Sequence, residues 1–370
     1  MVIHDIRIYR VCMPLVRPFK TAFGEEREIE TILVRMQSGK LFGWGETSPW
    51  EYPRYSSEWA CGAFEVIRKF LAPSLLGKDI QSGPDLQDRL KWVKGNYFAK
   101  AALDLAWWDL FAKFKRRPLW EVLGGRNPSV EVGADIGILE DVNLLLEEIY
   151  RYIQQGYTRV KLKYSPGWGL DVMRIVRSEF PDFRFHVDCN SAYTLSDLPM
   201  FRELDKLGFA MIEQPLAHDD LIDHAELQKE LNTPVCLDES ITSPSKVRKA
   251  IAVGACKWVN IKPGRVGGLT EAVKIHNTCE EEDTPCWIGG MLESAIGASH
   301  CLALGTLPNI KYPSDIFPSN RFYEDDLGNS PIELSGASAV EASSKPGIGV
   351  EPNQKKLDHM QREYAHLSSD

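Results

Sequence analysis

The sequence predicts an α/β barrel set behind an amino-terminal α+β domain. Three observations carry this expectation. First, short apolar runs that end in polar residues recur through the middle of the chain. They are RVKLK at 159–163, FRFHVDCN at 183–190, FAMIEQP at 209–215, PVCLDES at 234–240, KWVNIKP at 257–263, PCWIGGM at 285–291 and YPSDI at 312–316. Second, their spacing is constant. Lys163, Asp188, Glu213 and Asp238 follow one another at 25 residues, and Lys262 comes 24 later. A strand, a helix and two loops consume about that length, and parallel strands need such a crossover. Third, the intervening segments carry helical stripes. Val172, Met173, Val176 and Phe180 precede Pro181, and Phe201, Leu204 and Leu207 precede Gly208, which stands where a C-terminal cap belongs. Strand and helix alternating over this length read as a (β/α) barrel. A doubly wound open sheet is the alternative, but no GxGxxG follows the first strand of the region.

The first 125 or so residues follow another pattern. Residues 2–14 and 28–38 alternate as strands, Gly39-Lys40 supplies a turn, and 41–45 continue the alternation. Helical segments are expected at 57–70 and 97–114, and Gly124-Gly125 closes the domain. The barrel then occupies 126–324. The tail from about 325 to 370 contains Pro346-Gly-Ile-Gly-Val350, has no helical stripe before 354–367, and is expected to complete the first domain.

Composition narrows the function classes. The 370 residues carry 43 Lys+Arg against 52 Asp+Glu, a net charge of −9, which argues against a nucleic-acid binder needing a basic face. No apolar run reaches the roughly 18–20 residues of a membrane span. The amino terminus interrupts its apolar residues with Asp5, Arg7 and Arg10, unlike a signal peptide. Eight scattered cysteines without a CxxC pair read as buried thiols, so a cytoplasmic protein is expected. Alternation is taken to turn Cys189 and Cys236 away from the barrel mouth.

In a parallel barrel the strand C-termini converge on one mouth. They supply here Lys161 and Lys163, then Asp188 and Asn190, Glu213, Asp238 with Glu239, and Lys262. Three carboxylates on adjacent strands would repel one another. A hard divalent cation removes that repulsion, and an all-oxygen set suits Mg²⁺ or Mn²⁺. A lysine on each side could then take a proton from one face of a substrate and return one to the other, with the cation stabilising charge on the substrate carboxylate. A single strand-end acid or lysine is ordinarily solvated or paired. Three acids at a constant interval between lysines are not ordinary. His186, two residues before Asp188, is a further candidate to face inward.

Lys161-Leu-Lys163, Asp188-Cys-Asn190, Glu213-Gln-Pro215, Asp238-Glu-Ser240 and Lys262 resemble the muconate-lactonizing branch of the enolase superfamily. Within it the chain is most similar to the o-succinylbenzoate synthase / N-succinylamino acid racemase family. Pro18-Phe-Lys-Thr-Ala-Phe-Gly24, Trp44-Gly-Glu-Thr-Ser48, Lys100-Ala-Ala-Leu-Asp104, Lys262-Pro-Gly-Arg-Val-Gly-Gly268, Gly289-Gly-Met-Leu-Glu-Ser294 and Ser314-Asp-Ile316 carry that likeness in order along the chain. The resemblance implies a (β/α)7β-type TIM barrel with an N-terminal α+β capping domain, and a homo-oligomer. It makes Lys163 and Lys262 the acid/base pair, Asp188, Glu213 and Asp238 the Mg²⁺ ligands, and Lys161, Asn190, Glu239 and Arg265 their support. Phe19, Thr21, Phe23 and Tyr55, with the 47–55 stretch, would cover a small carboxylate substrate from the cap. Gly290, Met291, Leu292 and Asp315 would line the pocket from the barrel.

The resemblance implies an o-succinylbenzoate synthase, with N-succinylamino acid racemase activity beside it in a dual-activity enzyme, or else N-acylamino acid racemisation as the main activity. In o-succinylbenzoate synthase, of menaquinone biosynthesis, Lys163 removes an α-proton and hydroxide leaves, while Lys262 holds the intermediate by charge. In N-acylamino acid racemisation both lysines transfer protons, and Arg265 is expected to push Lys262 toward the neutral amine. A non-catalytic barrel that only binds is the reading from another class. Asp135, where a small polar residue such as Ser is expected, departs from the family pattern, as does Ser294-Ala295. Asp315 lacks a second Asp two positions on, unlike the dipeptide epimerases.

Overall fold

The structure is a computed structural model and describes residues 1–369. Asp370, the last residue of the expected tail, lies outside the described residues. The amino-terminal part opens with β1 (Asp5–Thr21), β2 (Gly24–Ser38) and β3 (Leu41–Thr47), an antiparallel meander. Residues 19–24, which lie between the strands expected at 2–14 and 28–38, extend the β1–β2 hairpin. Phe19 pairs with Glu26 and Thr21 with Gly24 beyond an irregularity between Pro14 and Phe19. The irregularity re-aims the hairpin tip, and Ile138 donates its N–H to the Lys20 carbonyl at 2.8 Å, pinning the tip to the barrel.

The helix Tyr97–Lys115 packs across β3 at unusually close range. Gly43 and Gly45 permit it. A Cβ at Gly45 would stand 2.4 Å from the carbonyl oxygen of Ala102 and the amide of Ala106, and one at Gly43 would stand 2.3 Å from Ala106 and Leu110 backbone atoms. Helix backbone cannot step aside as a side chain can. Gly45→Val is therefore expected to destabilise the fold by about 3 kcal/mol or more, read as a lower denaturant midpoint. An unchanged midpoint would show that this contact is looser than the geometry requires.

Short β4 (Ser129–Glu131) leads into the barrel. Its parallel strands are β5 (Ala134–Ile136), β6 (Val160–Lys163), β7 (Phe185–Asp188), β8 (Ile212–Glu213), β9 (Val235–Leu237), β10 (Trp258–Ile261) and β11 (Cys286–Ile288), side by side in sequence order. The predicted run at 312–316 does not form a regular strand, in keeping with Pro313, which has no N–H to give a ladder. The segment nevertheless closes the barrel. Ile310 bridges Cys286 and Ser314 bridges Val132, both parallel. The helices Leu170–Glu179 and Leu198–Asp205 lie where the apolar stripes place them, with Met173, Val176, Phe201 and Leu204 buried.

The tail adds β12 (Ala339–Glu341) against β4 and β13 (Gln361–Ser368) against β1. The helical stripe expected over 354–367 is thus only half helix. Gln354–Met360 is helical, and from Gln361 alternate residues lean on the edge of β1. Among the described residues no helix is long and apolar enough to cross a membrane. All eight cysteines are unpaired, and Cys61 is exposed where burial was expected.

Candidate active site

Strand register builds the site. β6 sets Lys163 opposite Asp188 and Lys161 opposite His186, β7 sets Asp188 opposite Glu213, and β8 sets Glu213 opposite Cys236. Residues two apart share a strand face. Lys161 and Lys163, and likewise His186 and Asp188, therefore stand as upper and lower members on the barrel interior. The same rule places Cys236 under Asp238, which corrects the expectation that it turns away. It packs inside the barrel, where the Trp287 indole N–H meets its Sγ at 3.3 Å. It is a packing thiol, as is buried Cys189.

Gln214 locks two of the acidic strand ends together. Its side-chain oxygen accepts the Asp238 N–H at 2.9 Å and the Ser240 N–H at 3.2 Å, and its amide donates to the Ser240 hydroxyl at 2.7 Å. Backbone strain concentrates here as well. Trp50, Asn190, Ser191, Gln214 and Leu292, all close to the mouth, have φ between 37° and 68°, the left-handed region that non-glycine residues seldom occupy.

The buried charges form two groups. On one side Lys163 Nζ lies 2.7 Å from Asp188 and 3.6 Å from Asp135. Lys161 Nζ binds Asp315 closely and stands 3.4, 3.7 and 3.8 Å from Asp135, Asp188 and Glu213. On the other side Lys262 Nζ lies 2.8 Å from Asp238, whose second oxygen receives Arg265. Tyr55 from the cap donates its hydroxyl to Asp238 at 3.1 Å, and its ring centre is 4.6 Å from Lys262 Nζ. Asn190 donates weakly to Glu239 at 3.4 Å. Among the described residues no three acidic, histidine or cysteine groups converge on one point. Asp188, Asp238 and Asp315 are instead drawn onto basic neighbours.

Burial works against every one of these charges, and the partners decide the outcome. Burial opposes the ammonium of Lys161, but Asp135, Asp315, Glu213 and Asp188 together hold it well above the usual lysine range. Glu213 is held well below the carboxylate range, burial being outweighed by Lys161 and His186. Burial, with Asp188 nearby, pushes Glu239 up to about 7. Lys262 is raised, because Tyr55, Glu239 and Glu213 outweigh burial and the Lys161 charge. That runs against the expected action of Arg265. Its guanidinium is spent on Asp238, on the Tyr55 hydroxyl and on the carbonyls of Ile241 and Asn260.

One cavity of about 30 Å³ gathers most of the predicted residues. Phe19, Thr21, Phe23 and Tyr55 line it from the cap, and Gly290, Met291, Leu292 and Asp315 from the barrel. Lys161, Lys163, Lys262 and Asn190 form its polar wall. Asp188, Glu213, Asp238, Glu239 and Arg265 do not line it; the first three and Arg265 hold its lysines or one another, and Glu239 accepts from Asn190. The space is small, with room for only a water molecule or two. Asp315 is less a free pocket residue than expected, since it also pairs with Arg159 at 2.7 Å. His186 faces inward. Its ring touches Glu213 at 3.3 Å and the Tyr312 hydroxyl at 3.2 Å.

Three contributors, Asn260, Arg159 and Phe317, escaped the sequence reading, while Trp50 belongs to the 47–55 stretch expected to cover the substrate from the cap. Asn260 donates to Glu213 at 2.5 Å, Arg159 neutralises Asp315, and Trp50 and Phe317 line the cavity. Asn260 and Arg159 stand two residues before Lys262 and Lys161. The alternation that turned those lysines inward could have found both.

Residues 3–124 match the mandelate racemase / muconate lactonizing enzyme N-terminal domain, and residues 145–356 match the enolase C-terminal domain-like family. The chain is 44% identical over 347 residues to an o-succinylbenzoate synthase of Geobacillus kaustophilus, covering 94% of this chain and 92% of the relative. It is 42% identical over 338 residues to an N-succinylamino acid racemase of Thermus thermophilus, covering 91% of each. A crystal structure of an enolase superfamily member from Listeria innocua superposes with a TM-score of 0.95 at 36% identity, over 100% of this chain and 99% of that one. With its opposed lysines, its three strand-end acids and these likenesses, the chain belongs to the enolase superfamily, in the o-succinylbenzoate synthase / N-succinylamino acid racemase family of the muconate-lactonizing branch.

Proposed function

We propose that this chain is an o-succinylbenzoate synthase that also racemises N-succinylamino acids, with α-proton abstraction from a small carboxylate common to both reactions. The observation that carries the reading is the placement of Lys163 on β6 and Lys262 after β10, on opposite sides of one cavity with the acids between them. A barrel that only bound a ligand would gain nothing from burying two opposed lysines.

The donor set fits a hard divalent cation, Mg²⁺ or Mn²⁺. Its members are carboxylates and an amide oxygen, and two buried acceptors, Asn190 Oδ1 and Glu239 Oε2, have no hydrogen-bond partner. Asp188, Glu213 and Asp238 would hold the ion, with Asn190 and Glu239 beside them. When bound, the cation stabilises negative charge on the substrate carboxylate. A lysine base paired with Mg²⁺ is the superfamily's known chemistry, and it comes to this chain through family membership.

The rest falls to the chain. Lys163, as a neutral amine, takes the proton α to the carboxylate on its face. In the dehydration of 2-succinyl-6-hydroxy-2,4-cyclohexadiene-1-carboxylate, a step of menaquinone biosynthesis, the C–O bond β to that carbon breaks, hydroxide leaves and the ring becomes aromatic. Lys262 remains an ammonium, placed to face the ring as it already faces Tyr55. In racemisation Lys262 delivers a proton to the opposite face. The cap aromatics Phe19, Phe23 and Tyr55 wall the cavity on the cap side.

Assay of the purified protein with the cyclohexadiene and with N-succinylamino acids, comparing kcat/KM, tests the reading; inactivity on both refutes it. Chelation with EDTA is expected to abolish turnover and added Mg²⁺ to restore it. Full activity in chelator would remove the metal from the proposal. Family membership also carries the expectation of a homo-oligomer, measurable by light scattering.

A further inference from the structure

Asp135 ends β5, and its buried carboxylate lines the cavity beside Lys161 and Lys163. Its backbone is firmly held, since Arg321 donates to its carbonyl at 2.8 Å. Its carboxylate is not. One oxygen reaches the two lysines only at 3.4 and 3.6 Å, and Oδ1 is buried with no hydrogen-bond partner. A buried carboxylate oxygen without a donor is costly, and Arg321, Lys161 and Lys163 leave this one unserved.

We propose that Asp135 is a specificity residue that accepts a hydrogen bond from the substrate's acyl amide N–H, and so favours racemisation of N-acylamino acids over dehydration. The inference rests on the reaction reading above and chooses within it. Asp135 stands on the Lys163 side and makes no contact with Lys262. A group it touches therefore lies near the carbon from which Lys163 takes the proton. In an N-acylamino acid that carbon bears an amide N–H, a donor that loses no charge during the reaction. In the cyclohexadiene the donor nearby is the hydroxyl that must leave as hydroxide. An ionised carboxylate cannot protonate that leaving group, and its charge opposes the departing one. The same charge disfavours any substrate that would place a second carboxylate at this point.

The test compares an N-succinylamino acid with the corresponding O-succinyl 2-hydroxy acid, an ester in which oxygen replaces the N–H without added bulk, in the wild type, Asp135→Ala and Asp135→Asn. Sites built to bind a donor discriminate strongly against analogues without it. Wild type is expected to prefer the N–H substrate by about 100-fold or more in kcat/KM. In Asp135→Ala that preference should collapse to a few-fold, and Asp135→Asn, which keeps an acceptor oxygen, should lie between. Because Asp135 also touches Lys161 and Lys163, the absolute dehydration rate is read only as a reference, and the ratio of racemisation to dehydration should fall in both variants. An unchanged N–H preference in Asp135→Ala would overturn the inference and leave Asp135 as a counter-charge for the lysines. Wild type that dehydrates the cyclohexadiene but racemises nothing would overturn it too, whereas inactivity on both substrates refutes the reaction reading itself. Circular dichroism of each variant shows whether a loss is one of folding.

Discussion

Lys163→Ala is expected to lower kcat/KM for dehydration and for racemisation together, by about 10⁴-fold or more, with the fold retained. Both reactions begin with the same C–H bond, and a positioned general base contributes typically 10² to 10⁴ in rate before orientation is counted. Alanine leaves no amine on that face. Lys161 cannot substitute, because it is engaged by Asp315 and surrounded by Asp135, Asp188 and Glu213. Lys163→Arg sharpens the test. Arginine preserves the positive charge beside Asp188 but does not give up its proton in proteins. If Lys163 acts by proton transfer, the arginine variant should be as inactive as the alanine one. Retained activity in Lys163→Arg would mean that charge, and not transfer, is what this position supplies. Thermal unfolding should separate loss of chemistry from loss of fold, since Asp188 keeps Lys161 as a neighbour at 3.7 Å.

Lys262→Arg is expected to divide the two activities. Racemisation needs a proton delivered from the Lys262 side, so it should fall by about 10³-fold or more. Dehydration needs only a cation facing the ring, so it should fall by about tenfold or less, allowing for the larger guanidinium. The position already holds a cation against an aromatic face in Tyr55, at 4.6 Å. Equal and complete loss of both activities would count against the charge-holding role. Exchange of the substrate α-hydrogen with D₂O provides an independent readout. Lys262→Arg should still exchange the hydrogen facing Lys163 while failing to invert the centre.

Much of this was legible from spacing. A 25-residue interval between Lys163, Asp188, Glu213 and Asp238 is a length, and the length of a βα unit follows from strand rise, helix rise and loop closure. Each acid therefore arrives at the same height on the next strand, and Asp188 and Glu213 do stand opposite one another. The 312–316 run was legible as part of the barrel but not as an irregular closing segment, which depends on how both edges of the sheet meet Ile310 and Ser314. Residues 19–24 were not legible as strand because no local signal shows that the hairpin resumes past Pro14. The 354–367 stripe misled for a related reason. Its polar and apolar residues suit a helix as far as Met360, and then the open edge of β1 supplies hydrogen bonds that favour a strand.

The sequence by itself determined that these lysines and acids reach one mouth, because a repeating length and a two-residue alternation are local properties of the chain. Only the tertiary structure decided who holds whom. Asp315 could be read as a pocket wall, yet it is tied to Arg159 and Lys161. Arg265 could be read as a neighbour tuning Lys262, yet it is bound to Asp238 and Tyr55. Asp135 could have pointed outward, yet it sits between the two lysines of β6 with an oxygen unserved. Pairing among buried charges depends on distances of a few ångströms between different strands, and the desolvation each charge suffers makes its nearest partner decisive.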